Sequence, residues 1–503
     1  MQVIKNKNVL SKNNTFFMKQ FFPFEKKELV FIFLLLFFIG DTVYSFYQHS
    51  LPPIDGDIPT LVMPSDAYQQ AAHDPFGLQI LQTGENCAGS NRFFMQWANA
   101  AYFLHVPLWF QSFTSPIHSV YLSMAVAKTL IQVGLILLLA SYIRVTFGWG
   151  RNEWMLAAVI ICPLFQAVGF FEYLAMIDNS TSYTFCYALF TLLLMLFLFP
   201  YYRAAITGDS GLPVWIQPLW LVFPIVLSFS GPLVGPVLLI LCPATLLYLF
   251  YNHWQTHPTL AFAQRFIQSL LSINKKLLLS FGFTTLLCLY SFYIGTHNSE
   301  NYWEVISLTE RYKRLFEGLI KITSFSEGIF PIVLAIGCNL FILNRSKSIE
   351  VEKLFTLFYF TFVFALVYIF LLPVGGYRSY RPFIVRRDTL QPVLWLLFFS
   401  WGMSTVYILK HARSLRRLLY ALVIASFCFI YLYVDKVPTH TNVCEKQSLE
   451  ILASSKEDCV ELTESCTVLQ WSNSSQCEDT RYAAELLHLW NITPRVIHYK
   501  HKP

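Results

Sequence analysis

Charged residues are scarce in this chain: Asp, Glu, Lys and Arg make up 13% of its 503 residues, about half the share found in soluble domains. That scarcity excludes a soluble globular enzyme and a disordered chain. The formal net charge of +6 is too small for a nucleic-acid binder, and the basic residues fall mostly in loops between hydrophobic runs. Motifs are lacking as well. No Walker A loop, G-x-G-x-x-G, H-E-x-x-H or G-x-S-x-G occurs, so soluble nucleotide or zinc chemistry has no support. Eleven cysteines at this length do not make a disulfide scaffold.

Apolar residues are abundant instead, at 55% with 47 Phe, and the mean hydropathy is +0.48. A bilayer core takes about 20 apolar residues per helix. Runs of that kind lie near 28–47, 119–143, 154–174, 183–201, 215–230, 232–251, 277–295, 327–344, 354–373, 391–409 and 417–434. The expected fold is therefore an all-α polytopic membrane protein of about eleven spans. The pair 215–230 and 232–251 meets at Ser230-Gly231-Pro232, either a tight turn or a kink in one long helix. The first run is too long for a signal-peptide core and lacks a cleavage site, so it is expected to be retained.

Lys5, Lys7, Lys12, Lys19, Lys26 and Lys27 predict a cytoplasmic segment 1–27 before the membrane domain 28–434. Alternation then puts the long loop 48–118 and the tail 435–503 outside. Cys444, Cys459, Cys466 and Cys477 cluster in that tail and predict two disulfides with three possible connectivities, leaving Cys87 over. The stretches 93–113 and 296–326 are expected to hold interfacial helices in the outer loops, the second on the amphipathic spacing of Val305, Leu308, Tyr312, Leu315, Leu319 and Ile322. Asn473-Ser474-Ser475 and Asn491-Ile492-Thr493 match glycosylation sequons, meaningful only in a secretory pathway.

Two outer loops break the bilayer's rules. Loop 374–390 carries Arg378, Arg381, Arg386 and Arg387 with a single acid, Asp388, and Tyr377 and Tyr380 interleaved. Arginine's planar fork suits phosphate; headgroup anchoring or snorkelling is the plainer alternative. Loop 48–118 is acidic, with Asp55-Gly56-Asp57 directly after Pro52-Pro53, and with Asp66, His73 and Asp74 further on. Carboxylates at that spacing can share a hard divalent cation, or one can act as base while the other orients it; an ordinary polar turn is the alternative. Glu172 ends the third span, Asp178 lies in the brief loop after it, and both open on the same face. Asp41 lies near the outer end of the first span, and Lys128 inside the second is its expected ion-pair partner.

About eleven spans with both features in these positions, N-terminus in and C-terminus out, resemble the GT-C superfamily of integral membrane glycosyltransferases. The specific part of the resemblance is Pro53-Ile54-Asp55-Gly56-Asp57. It implies a catalytic acid or metal-binding aspartate at Asp57 or Asp55, with Asp41 as a substitute. Acids after the third span, Glu172 or Asp178, would join it. Arg378, Arg381, Arg386 and Arg387, with Tyr377, Tyr380, His73 and Glu172, would bind substrate. No cofactor is required outright; Mg or Mn held by Asp55, Asp57 and Asp178 is the candidate. A W-W-D-type motif is missing and the tail is small, which favours single-sugar transfer over oligosaccharide transfer.

The expected function is thus transfer of a sugar from a polyprenyl-phosphate-linked donor to a lipid or glycan acceptor, with no nucleic acid involved. The active face would lie outside the cytoplasm, in a bacterial inner membrane or the endoplasmic reticulum. The rival functions are a transporter or flippase of lipid-linked or anionic substrates, a polysaccharide polymerase or ligase, and a non-catalytic scaffold. No internal repeat of the kind transporters carry is found.

Overall fold

A computed structural model of the chain describes residues 26–213, 215–302, 306–375, 381–439, 441–463 and 466–502. Eight helices among the described residues are long and apolar enough to cross a membrane. They are Lys27–His49, Pro116–Phe147, Thr181–Thr207, Val234–Thr256, Lys275–Thr296, Ile349–Gly375, Arg387–His411 and Ser414–Val434. The chain is mostly helical, and these eight helices mark it as a multi-pass membrane protein.

Burial sorts these helices into layers. Arg387–His411 is 78% buried and forms the axis, whereas Lys27–His49, Ile349–Gly375 and Ser414–Val434 are only 11% buried. The axial helix packs on Pro116–Phe147, Arg151–Ile161, Ile329–Leu343, Ile349–Leu371 and Ser414–Val434. Close approach here depends on Gly402: a Cβ would lie 2.7 Å from Ile143 Cδ1 and 2.9 Å from Ile161 Cδ1. Small residues at helix contacts are how membrane bundles gain packing, because lipid supplies no hydrophobic drive between helices. The peripheral helices turn Phe33, Leu36, Phe362, Leu422 and Phe429 outward, as a lipid solvent demands.

Three expected spans take other forms. Residues 154–174 give a helix, Arg151–Ile161, closed by a 3₁₀ turn at Cys162–Leu164, where Pro163 removes a backbone donor. The irregular chain after it is held by Asp435, whose Oδ1 accepts from Ala167, Val168 and Gly169 N (3.0, 2.7 and 3.1 Å). Residues 215–230 give only Val222–Ser228, and 327–344 give Ile329–Leu343, apolar but shorter.

Two helices between spans pack at the end of the bundle that carries Asp55 and Arg387. Phe93–Phe110 docks against the tail, with Trp490 Nε1 donating to Phe103 O (2.8 Å). Leu308–Ile322 lies on the arginine stretch: Arg311 Nη1 donates to Pro373 O (3.2 Å) and Arg314 Nη1 to Arg381 O (3.4 Å). The tail is not all-α. It combines Val443–Ser454 and Arg481–Leu489 with a parallel pair of strands, β1 (Cys459–Leu462) and β2 (His498–His501). Of the three possible connectivities it adopts Cys444–Cys466 and Cys459–Cys477, and Cys87 is free and buried.

Candidate functional site

The polar residues at this end converge on the start of helix Thr181–Thr207. The Asp55 carboxylate caps it: Thr181 N and Ser182 N donate to Oδ2 (2.8 and 3.0 Å), and Ser182 Oγ donates to Oδ1 (2.7 Å). A negative charge on a helix N-terminus is favourable. Just before the helix, Asp178 Oδ1 accepts from Ser180 N (2.9 Å), and its Oδ2 accepts from Arg387 Nε (2.6 Å). Arg387 also faces Glu172 at 3.7 Å, although that carboxylate is half exposed. Within the same helix, the stretch Thr184–Leu189 winds as a π-helix, a distortion frequent at functional sites, and Tyr187 there lines a cavity.

Lys128 lies beneath Asp55 and Asp178. It is fully buried, donates to the Asn179 carbonyl and sits within electrostatic reach of both carboxylates. The expected Asp41–Lys128 ion pair does not form. Asp41 lies about two turns below the end of its helix, hydrogen-bonded to Cys162 and close to Asp435. It therefore stands apart from the other candidate acids, and its substitution for Asp55 or Asp57 finds no geometric support.

The arginines meet carboxylates. Arg381 Nη1 lies 3.1 Å from Asp388 Oδ2 and Arg386 Nε 3.4 Å from Asp388 Oδ1, and Asp388 itself is 2% exposed. Next to this pair a cavity of about 320 Å³ runs between Pro232–Ile240, Phe292 and Tyr368–Gly375, with Arg381, Asp388 and Tyr187 forming its polar end. Arg378, Tyr377 and Tyr380 lie outside the described residues. A further arginine, missed in the sequence because it stands alone in the acidic loop, lies within electrostatic reach of Tyr187. Arg92 pairs with the buried Glu300 (2.9 Å) and approaches Tyr187. Glu300 also takes a 2.5 Å hydrogen bond from Tyr68 Oη. Burial, then that bond, pushes the Tyr68 phenol above its usual range.

Asp57 is placed differently from Asp55. It is half-buried, and its Oδ1 accepts from the Nε1 of Trp471 in the tail (2.8 Å). Gly56 makes the tail's approach possible. A Cβ there would sit 2.5 Å from Trp471 N and 2.8 Å from its Cδ1, so the Asp-Gly-Asp turn needs glycine for clearance. A second fastening is Glu445, buried in the tail, whose Oε2 accepts from Ile54 N (2.8 Å) and Tyr121 Oη (2.7 Å) and whose Oε1 accepts from Leu469 N (3.2 Å). Burial outweighs these donors and raises its carboxyl to about 7.

The candidate metal set fares poorly. The Asp55 oxygens are taken up by N–H and O–H donors, and Asp178 by Arg387 and Ser180. Among the described residues no group of three or more His, Cys, Asp or Glu is arranged to hold a metal ion. The residues present do not fit Mg or Mn. His73 ends the short helix Asp66–His73 and is exposed there. No protein-family model matches this chain, and no curated protein matches it.

Proposed function

We propose that the chain is a membrane glycosyltransferase of GT-C type that uses a polyprenyl-phosphate-linked sugar. The observation that carries this reading is an apolar cleft closed at its polar end by Arg381 and Asp388, in a part of the bundle where the acidic loop and the arginine stretch are both tied to the segment 178–182. Asp55 caps helix Thr181–Thr207, Asp178 just before that helix holds Arg387, and Arg381 and Asp388 close the polar end of an otherwise apolar cleft. Such a cleft suits isoprenoid units with an anionic head. In this reading the three short passages, Arg151–Ile161, Val222–Ser228 and Ile329–Leu343, bring the crossings to eleven. The N-terminus is cytoplasmic, and the cleft opens on the other side, in a bacterial inner membrane or the endoplasmic reticulum.

Asp57 is the general base, because Asp55 is committed to the helix it caps. The acceptor hydroxyl gives its proton to Asp57 and its oxygen attacks the anomeric carbon. The bond from that carbon to the phosphate oxygen breaks, its electron pair leaving with the lipid phosphate. Arg381 and Arg386 balance the departing charge by exchanging Asp388 for phosphate. A positioned base contributes ~10²–10⁴-fold. A single displacement inverts the anomeric centre.

The test is a transfer assay on the reconstituted protein with a panel of radiolabelled polyprenyl-phosphate sugars. Consumption of at least one donor, with an inverted product and loss of turnover in Asp57→Asn, is expected. No consumption of any donor, or a retained anomer, overturns the reading. A second reading, transport of a lipid-linked anion, is favoured by the carboxylate partners of Arg381, Arg386 and Arg387. It predicts movement of a fluorescent lipid-linked sugar between leaflets without its consumption.

A further inference from the structure

The tail does more than cover the acidic loop. Trp471 leaves 60% of its surface exposed, an unusual state for an indole whose orientation is fixed. Its Nε1 is tied to Asp57 at 2.8 Å, and its backbone rests against Gly56. The ring is therefore held in place yet open. Behind it runs a row of aromatic rings: Trp471 to Tyr183 at 6.2 Å between centroids, tilted at 44°, and Tyr183 to Tyr187 at 5.8 Å, edge on. Tyr187 is the residue that also lines the cavity beside Arg381 and Asp388.

We infer that Trp471, with Asp57 and Tyr183, forms a binding platform for a pyranose ring at the mouth of the site. A pyranose has an apolar C–H face and a rim of hydroxyls. The electron-rich face of an indole attracts those polarised C–H groups, and a carboxylate at the ring's edge accepts from a hydroxyl. Because the indole is already fixed, little ordering is lost on binding. Surface packing alone explains the contact with Gly56 but not an aromatic row leading from the open ring to the cavity. The inference rests on the transferase reading for its place in a reaction, but the binding event is measurable without turnover.

The experiment uses the full chain in nanodiscs, labelled with 5-fluorotryptophan. The Trp471 fluorine signal is assigned by its disappearance in Trp471→Phe. The probes are the methyl glucopyranosides, mannopyranosides and galactopyranosides in both anomeric forms, with acyclic xylitol as control. At least one pyranoside should shift the Trp471 signal saturably where xylitol does not, and Tyr183→Leu should weaken that binding about fivefold. A Trp471 signal that no pyranoside moves beyond the xylitol response overturns the platform, as does full-strength binding in Tyr183→Leu. A polyprenyl-phosphate sugar that displaces the pyranoside assigns the platform to the donor's ring, and one that leaves it bound assigns it to the acceptor's. A saturable response in a protein that consumes no donor would remove the transferase reading and leave the platform standing.

Discussion

The acidic stretch 53–57 and the basic stretch 381–387 are both anchored, but by opposite chemistry. Asp55 is satisfied by backbone N–H groups and a hydroxyl of the helix it caps, with Lys128 of a neighbouring helix nearby, so its partners are built into the bundle. Arg381 and Arg386 both face a side-chain carboxylate, that of Asp388. A phosphate replaces a carboxylate on a guanidinium with little change in geometry, whereas nothing diffusible replaces a helix N-terminus. The basic stretch is thus suited to exchange ligands and the acidic one to hold position, with the half-buried Asp57 held by Trp471 beside it.

The largest expected effect attacks the anchored side. Lys128→Met leaves the buried Asp55 and Asp178 without the cation beneath them. Loss of one member of a buried charge group costs about 3–5 kcal/mol, so thermal unfolding in detergent should show a strongly lowered midpoint. An unchanged midpoint would mean that the two carboxylates do not depend on Lys128.

On the exchangeable side, Arg381→Gln with Arg386→Gln should raise the donor KM by roughly 10–100-fold, the weight of charged hydrogen bonds, while the acceptor KM changes little. Equal effects on both would favour simple headgroup anchoring over phosphate recognition.

Gly56→Ala tests the join between loop and tail. The added methyl meets backbone atoms of Gln470 and Trp471, and overpacking of this kind costs about 1–3 kcal/mol. Limited proteolysis of the intact protein should cut the tail sooner, with the spans unaffected; an unaltered cleavage rate would show that the tail is not held there.

The smallest effect is a pH dependence. Glu445 is raised from 4.5 to about 7 in the folded chain, so its contribution to tail docking is full below about pH 4.5 and is lost as pH rises through about 7. After correction for the intrinsic exchange rate at each pH, protection of the tail amides should be greater at pH 5.5 than at pH 8, and Glu445→Gln should flatten the difference.

Much of the fold was legible from hydrophobic runs, since a span longer than about 18 apolar residues has few other readings. The broken third passage was not: Pro163 marks where the helix stops, but the donor set that holds the following chain comes from Asp435, far along the sequence. The same limit applies at the site. Asp55, Asp57 and the arginines stand out by type and spacing, yet matching Asp41 to Lys128 by depth misses that Lys128 turns to Asn179 and the acids beside it. Asp388 reads as a lone acid among arginines, and only its burial reveals it as their shared partner. Trp471 carried no signal at all, because its neighbour Gly56 lies in a different part of the chain.

The central claim is that one lipid phosphate headgroup sits at the polar end of the cavity, between Arg381, Asp388 and Tyr187. The most direct measurement is photocrosslinking of the reconstituted protein with a polyprenyl phosphate carrying a diazirine in its first isoprenoid unit, followed by peptide mapping. Adducts on the segments 232–240, 368–375 and 381–389, suppressed by Arg381→Gln with Arg386→Gln, are the predicted result. Adducts confined to the outward faces of Lys26–His49, Ile349–Leu371 and Ser414–Val434, and indifferent to those substitutions, would contradict it.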